Sequence, residues 1–214
     1  MILAGRGRFW HRFLLLFAVL LPIAALIFTT VTVLHAREVY DGVLRLHILA
    51  DSDSEKEQQL KLQVRDAILS RYSQTLAACE SDREAEAFLE KELDAIRLLA
   101  QETVSREGAC HTVDVSLTRE YYPTRQYDGF TLPAGEYTSL RILIGSGEGK
   151  NWFCMVYPPI CTASCEAEDA FVEAGFSKSQ IRFLTEGEEG YTVRFKIVEG
   201  AMSLWHKVKG WFSS

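Results

Sequence analysis

From Phe13 to Leu34 the chain runs for 22 residues without a charged side chain, and nothing else in its 214 residues restricts the possible folds so severely. A helix that crosses a bilayer needs about 20 consecutive apolar residues. A helix on the surface of a globular protein needs one apolar stripe, not an apolar surface all round. Arg6, Arg8 and Arg12 precede the run, and Arg37 and Glu38 cancel just behind it. This charge asymmetry predicts residues 1–12 in the cytoplasm, a transmembrane anchor or signal segment over 13–34, and export of the chain beyond residue 40. The run exceeds the roughly 7–15 apolar residues of a cleaved secretory signal, and Leu34-His35-Ala36 is a poor cleavage site. An uncleaved anchor, mildly kinked at Pro22, is the preferred reading; a cleaved segment is the alternative.

From Asp41 onward, 19 Lys and Arg face 28 Asp and Glu, a net charge of about −9. Such a surface repels phosphate backbones, so nucleic acid is not an expected ligand. Val43 to Leu49 alternates as a strand and leads into Asp51-Ser52-Asp53-Ser54, where Ser54 and Glu57 have the spacing of a capping box. Leu60, Val64, Ala67, Ile68, Tyr72 and Thr75 then mark one face of a helix. A second helix is predicted over Asp82 to Val104, with Leu89, Leu93, Ile96 and either Leu99 or Ala100 inward and Glu107-Gly108 past its end. Val113, Val115 and Leu117 alternate as a strand; a short helix is expected around Glu168 to Ala174, and a last strand from Tyr191 to Val198. The expected fold is α+β: an N-terminal transmembrane helix, then one domain over 43–199 with a mostly antiparallel sheet and two long packed helices. Residues 200–214 form an amphipathic C-terminal helix in this reading. That tail is too short to cross a bilayer and is expected to pack back on its own domain, with a place at the membrane interface as the alternative.

Leu132 to Cys161 carries the most distinctive wording. Leu140, Ile142 and Ile144 form a strand, Gly145, Gly147 and Gly149 permit a reversal, and Trp152 to Tyr157 reads as the returning strand of a hairpin ended by Pro158-Pro159. Gly145-Ser146-Gly147-Glu148-Gly149-Lys150 imitates a phosphate loop, but a strand comes next where such a loop opens a helix, so a turn is the better reading. This stretch resembles the signature region of the stage II sporulation protein R family of spore-forming bacteria. Leu44 to Ser54, together with Gln59, Lys61, Val64, Arg65 and Asp66, is similar to that family's opening block, with Asp51 where Asn is usual. Phe153 stands where a second Trp is common, and a weaker likeness reaches the Val193-Arg194-Phe195-Lys196 strand.

The resemblance implies a protein made in the forespore and exported into the space facing the mother cell. There it is required to activate a membrane-embedded aspartic protease that processes the sigma factor E precursor. Lys150 and Asn151 are the first candidates for contact with that protease; Trp152, Asp51, Ser52 and Asp53 are the others, although Trp152 is the better fit to the core. His47 beside Asp51 and Asp53 supports a rival reading, an extracytoplasmic hydrolase or cell-wall-binding domain. A strand His with a hydrogen-bond partner and a capped helix entrance is the simpler account. His111 looks isolated beside Cys110. No nucleophile elbow, metal-ligand spacing or cofactor motif is read, so no catalytic residues, metal or cofactor are assigned. Of five Cys, Cys154 and Cys161 fall where the family carries Cys and are expected to pair in a disulfide, with Cys165 a competing partner. Cys79 and Cys110 are expected to be buried and free.

Overall fold

The computed structural model of the chain describes residues 16–28, 30, 31, 34, 39–127, 129–159, 167–185 and 200. Residues 16–28 are helical, and Leu16, Leu20, Leu21 and Leu26 each stand more than half exposed. Among the described residues no helix is long and apolar enough to cross a membrane. Residues 13–15, 29, 32 and 33 of the expected anchor lie outside the described residues.

The domain has the order β1 (Leu44–Leu49), α1 (Glu55–Ala77), α2 (Asp82–Arg106), β2 (Val113–Tyr122), β3 (Arg125–Tyr127) and β4 (Phe130–Leu132). Then come β5 (Gly135–Ile144), β6 (Asn151–Tyr157), α3 (Ala167–Glu173) and α4 (Lys178–Thr185). The fold is α+β with a mixed four-stranded sheet in the order β2-β5-β1-β6, and β3 and β4 pair separately. β1 runs parallel to β5, with Leu46 opposite Leu140, and antiparallel to β6, with Leu46 opposite Cys154. β2 runs antiparallel to β5.

This corrects the expected hairpin. β5 and β6 are consecutive strands but not partners, because β1 lies between them. The reason is visible in β1 itself, where Leu44 through Ile48 are all buried. A strand with no wet face belongs at the centre of a sheet covered on both sides, and β1 takes that place.

Each face of the sheet has its own cover. Leu44, Leu46, Ile48, Leu140, Ile142, Ile144 and Cys154 meet α1 and α2. α1 buries Leu60, Val64, Ile68, Tyr72 and Leu76; the last replaces the expected Thr75, which is exposed, while Ala67 is half-buried. α2 buries Ala85, Leu89, Ile96, Ala100 and Val104, with Leu93 and Leu99 half-buried. Each fully buried aliphatic side chain contributes about 1.5–3 kcal/mol through area removed from water. Ser81 caps α2 by accepting from the Glu84 amide at 3.2 Å, and Gly108, with φ +74°, lies past its end.

The other face carries Arg45, His47, Tyr122, Tyr137, Phe153 and Met155. It is covered by the β3–β4 hairpin, α3, α4 and the helical residues Val39 and Tyr40. Neither that hairpin nor α4 is apparent in the sequence. Three-residue strands leave too little alternation to read, and α4 is a single short amphipathic segment. The expected strand Tyr191–Val198 lies outside the described residues, as does the tail 200–214 apart from Gly200.

Candidate functional site

The glycine-containing loop between β5 and β6 does not project freely; it is bound along its length to the segment that links β1 to α1. The Ser146 amide donates to Asp51 Oδ1 at 2.7 Å, and the Ser146 hydroxyl donates to the Asp51 carbonyl at 2.8 Å. The Gly149 amide donates to the Ala50 carbonyl at 2.9 Å, and the Lys150 amide to Asp53 Oδ1 at 2.6 Å. At the loop's start the Gly145 amide donates to the Thr112 carbonyl at 2.9 Å. Four backbone N–H groups that a phosphate cradle would present to its ligand are therefore committed to acceptors of the protein. The Ser146 amide also holds the Asp51 carboxyl below the ordinary carboxylate range, since a hydrogen bond to the charged form favours it.

Two glycines make this closeness possible. Gly145 sits at φ +62°, and a Cβ there would collide with the Asp51 side chain. Gly149 faces the Ser52 carbonyl so closely that a Cβ would overlap backbone, which no rotamer change relieves.

α1 completes the junction from the helical side. Lys61, almost wholly buried, donates from Nζ to the Lys150 carbonyl at 2.7 Å and to Gln58 Oε1 at 2.6 Å. Burial pushes its pKa down. Gln58 in turn donates to the Ser52 carbonyl at 2.8 Å. One turn further along, the Arg65 guanidinium lies 5.1 Å from the Trp152 ring, within cation–π range.

The six candidate contact residues, drawn from segments about a hundred positions apart, thus share one surface. Asp53, Lys150 and Asn151 are exposed; Asp51, Ser52 and Trp152 are half-buried. Trp152 packs its inner side against the helical core. Lys61, Arg65, Gln58 and Ser146 join them. Of these, Lys61 had a readable cue: a lysine next to Leu60 on the inner side of a helix needs a specific acceptor.

Two expectations for this region need correction. Ser54 caps α1 as its spacing predicts, accepting from the Glu57 amide at 3.4 Å, while Asp51 and Asp53 accept from the β5–β6 loop. Only that half of the capping box is present, because the Glu57 carboxylate turns to His111, 3.1 Å from its Nε2. His111 is therefore not isolated: its other ring nitrogen stands 3.9 Å from Asp51 Oδ1. The bond comes from the chain reversal before β2, which brings residue 111 over the start of α1, and local spacing carries no trace of it.

His47 belongs to a different neighbourhood. Its Nδ1 lies 2.8 Å from Glu120 Oε2, on the sheet face away from α1 and α2. Glu120 also accepts from Tyr122 at 2.7 Å and faces Arg141 at 3.5 Å. Burial raises the Glu120 pKa, but the bonds from His47 and Tyr122 and the charges of His47 and Arg141 outweigh it, and the net shift is downward. His47 and the Asp51–Asp53 pair are thus engaged by separate partners. Among the described residues no group of three or more His, Cys, Asp or Glu is placed to hold a metal ion.

Cys154 is disulfide-bonded, to a partner outside the described residues. Cys79 and Cys110 are free, as expected, but they are not buried: Cys79 is half-buried and Cys110 exposed.

Comparison with known proteins agrees with what these paired segments suggest. The family model described as stage II sporulation protein R matches residues 40–167, which contain β1, both long helices and β6. Stage II sporulation protein R of Bacillus subtilis (strain 168) is 34% identical over 178 residues, covering 74% of this chain and 80% of that protein. No solved structure matches the chain. The chain belongs to the stage II sporulation protein R family.

Proposed function

We propose that this protein is an exported signalling protein of sporulation that acts by contact rather than by catalysis. In this reading it is anchored through residues 13–34 with its domain in the space between forespore and mother cell. Its partner is the membrane-embedded aspartic protease that processes the sigma factor E precursor. The partner and the activation step come from the family likeness. The residues assigned to contact come from the junction of β1, α1 and the β5–β6 loop.

One observation supports that assignment most. Ser52, Asp53, Lys150, Asn151 and Trp152 lie on one surface, and the bonds beneath it are almost all internal to the junction. The loop amides and the Lys61 ammonium find acceptors within the junction, and among the described residues the exposed side chains of Lys150 and Asn151 make no hydrogen bond or ion pair. The backbone that carries them is held in place by these bonds, so binding does not have to order the loop itself.

The test expresses the full chain in forespores of cells that lack the gene and measures precursor processing. Wild type should restore processing; if it does not, the activation reading fails. A Lys150→Ala/Asn151→Ala double variant should lose processing while its melting temperature stays that of wild type, because exposed substitutions of this kind cost within about 0.5 kcal/mol. Full processing by the double variant would move the contact surface elsewhere.

A further inference from the structure

Arg45 is completely buried at the centre of the sheet, on the face away from α1 and α2. Its Nη2 donates to the Tyr127 hydroxyl at 2.9 Å, while Nε and Nη1 have no hydrogen-bond partner among the described residues. Its Cζ lies 3.9 Å from the centre of the Tyr122 ring and 5.2 Å from that of Tyr137. Among the described residues no carboxylate forms an ion pair with it. Glu120 is occupied by His47, Tyr122 and Arg141. Two residues along β1, His47 Nε2 is likewise buried without a partner among the described residues.

An arginine can be held under aromatic rings for packing alone, but its N–H groups then normally find backbone or side-chain acceptors. Here two of three guanidinium nitrogens and a neighbouring imidazole nitrogen are left open together. The local charge is also contrary to the rest of the domain. Arg141 shares Glu120 with His47, Arg45 has no carboxylate among the described residues, and Arg125 places its guanidinium 4.8 Å from the Phe153 ring. The cover over this spot is the β3–β4 hairpin, which pairs with no strand of the main sheet and reaches Arg45 through the Tyr127 hydroxyl.

We infer that Arg45 and His47 form the floor of a binding site for a carboxylate-bearing ligand, entered by displacement of the β3–β4 hairpin. The carboxylate supplies the counter-charge that Arg45 lacks, and the walls of Tyr122, Tyr137 and Phe153 take a flat or aliphatic body behind it. The same chemistry is presented by a small free acid or by an acidic side chain of a peptide. Among the described residues, Arg45 and His47 share no hydrogen bond with the Asp51–Asn151 junction at the start of α1, so this occupant and the proposed partner there are separate questions.

The experiment titrates the full-length chain in detergent micelles with sodium benzoate, benzamide, inorganic phosphate, and a capped Ala-Glu-Ala tripeptide beside its Ala-Gln-Ala counterpart. The nitrogen-15 resonance of Arg45 Nε–H, identified by its loss in Arg45→Met, and the melting temperature are the readouts. Benzoate or the Glu tripeptide should shift that resonance. At about a hundred times Kd it should raise the melting temperature by about 5–10 °C. Benzamide and the Gln tripeptide should do neither. A response to benzoate without the tripeptide assigns a free acid, and the reverse assigns a peptide. Tyr127→Phe, which removes only the latch, should lower the benzoate concentration needed. An unmoved Arg45 resonance with every carboxylate would overturn the inference. So would an equal response to benzamide, a response to phosphate alone, or a thermal shift that persists in Arg45→Met. If Arg45→Met does not fold, the resonance is assigned through its proximity to the Tyr122 ring and the wild-type titration decides.

Discussion

Replacing Gly149 by alanine tests whether the β5–β6 loop is held to the helix entrance as tightly as the geometry requires. Gly149 has an ordinary φ, so its backbone conformation alone would accept alanine. The obstacle is the Ser52 carbonyl, with the Ala50 oxygen 2.9 Å from the added Cβ. Because these atoms are backbone, either the loop or residues 50–52 must shift. That shift breaks or stretches three bonds: Gly149 to Ala50, Lys150 to Asp53, and Lys61 to the Lys150 carbonyl. A neutral hydrogen bond contributes about 0.5–1.5 kcal/mol net, and one with a charged partner about 1.5–3. Solvent screening reduces the Asp53 share, whereas the nearly buried Lys61 ammonium keeps its full penalty. The loss is about 2–4 kcal/mol, or roughly 5–12 °C in melting temperature for a chain of this size. Gly108→Ala is the control. It sits at φ +74° with nothing within 4 Å, so only conformational strain of about 1–2 kcal/mol applies. Urea and thermal unfolding of both variants give the comparison, with precursor processing measured at a temperature where both remain folded. Gly149→Ala should be the less stable of the two and the only one to lose processing. The reasoning is refuted if Gly149→Ala unfolds with wild type, or if Gly108→Ala is the more damaging.

Three further outcomes are expected. A reporter active only after export, fused beyond residue 214, should be active, and activity of a cytoplasmic reporter at the same place would reverse the topology. Asp51 and Glu120 both titrate below their ordinary values of 3.8 and 4.5. The folded state therefore binds fewer protons than the unfolded chain on the acid side. The stability these carboxylates supply is complete above about pH 4.5 and is lost as the pH falls through the lowered values. The urea midpoint should drop between pH 6 and pH 3, with a shallower drop in Asp51→Asn, and an unchanged midpoint would contradict the assignment. Peptide mapping without reductant should recover Cys154 linked to Cys161; a Cys154–Cys165 peptide would give the disulfide to the competing partner.

The long helices were legible because their information is local. Apolar residues every three or four positions, the Ser54–Glu57 spacing before the first helix and a glycine after the second mark α1 and α2 without reference to anything distant. Alternation in Leu44–Leu49 and Leu140–Ile144 was equally readable, as was the exposure of Lys150 and Asn151 beside a permissive loop. The family motifs were legible for a related reason: they lie in unbroken stretches, each readable before the other is known.

Partnership was not legible. Alternation says that a strand has two faces but not which strand lies beside it, so β5 and β6 looked like a hairpin until β1 came between them. The same holds for His47 with Glu120 and His111 with Glu57, pairs far apart in the chain, whose distances depend on how the sheet and helices close. Arg45 is the clearest case. In the sequence it is one charged residue in a short strand. Only burial on both faces of β1, with the β3–β4 hairpin folded over it, turns it into a guanidinium with no counter-charge among the described residues. Hydrogen bonds along a helix connect neighbours in the chain and can be read there. Sheet pairing, burial and charge balance depend on residues far apart, and only the tertiary structure decides them.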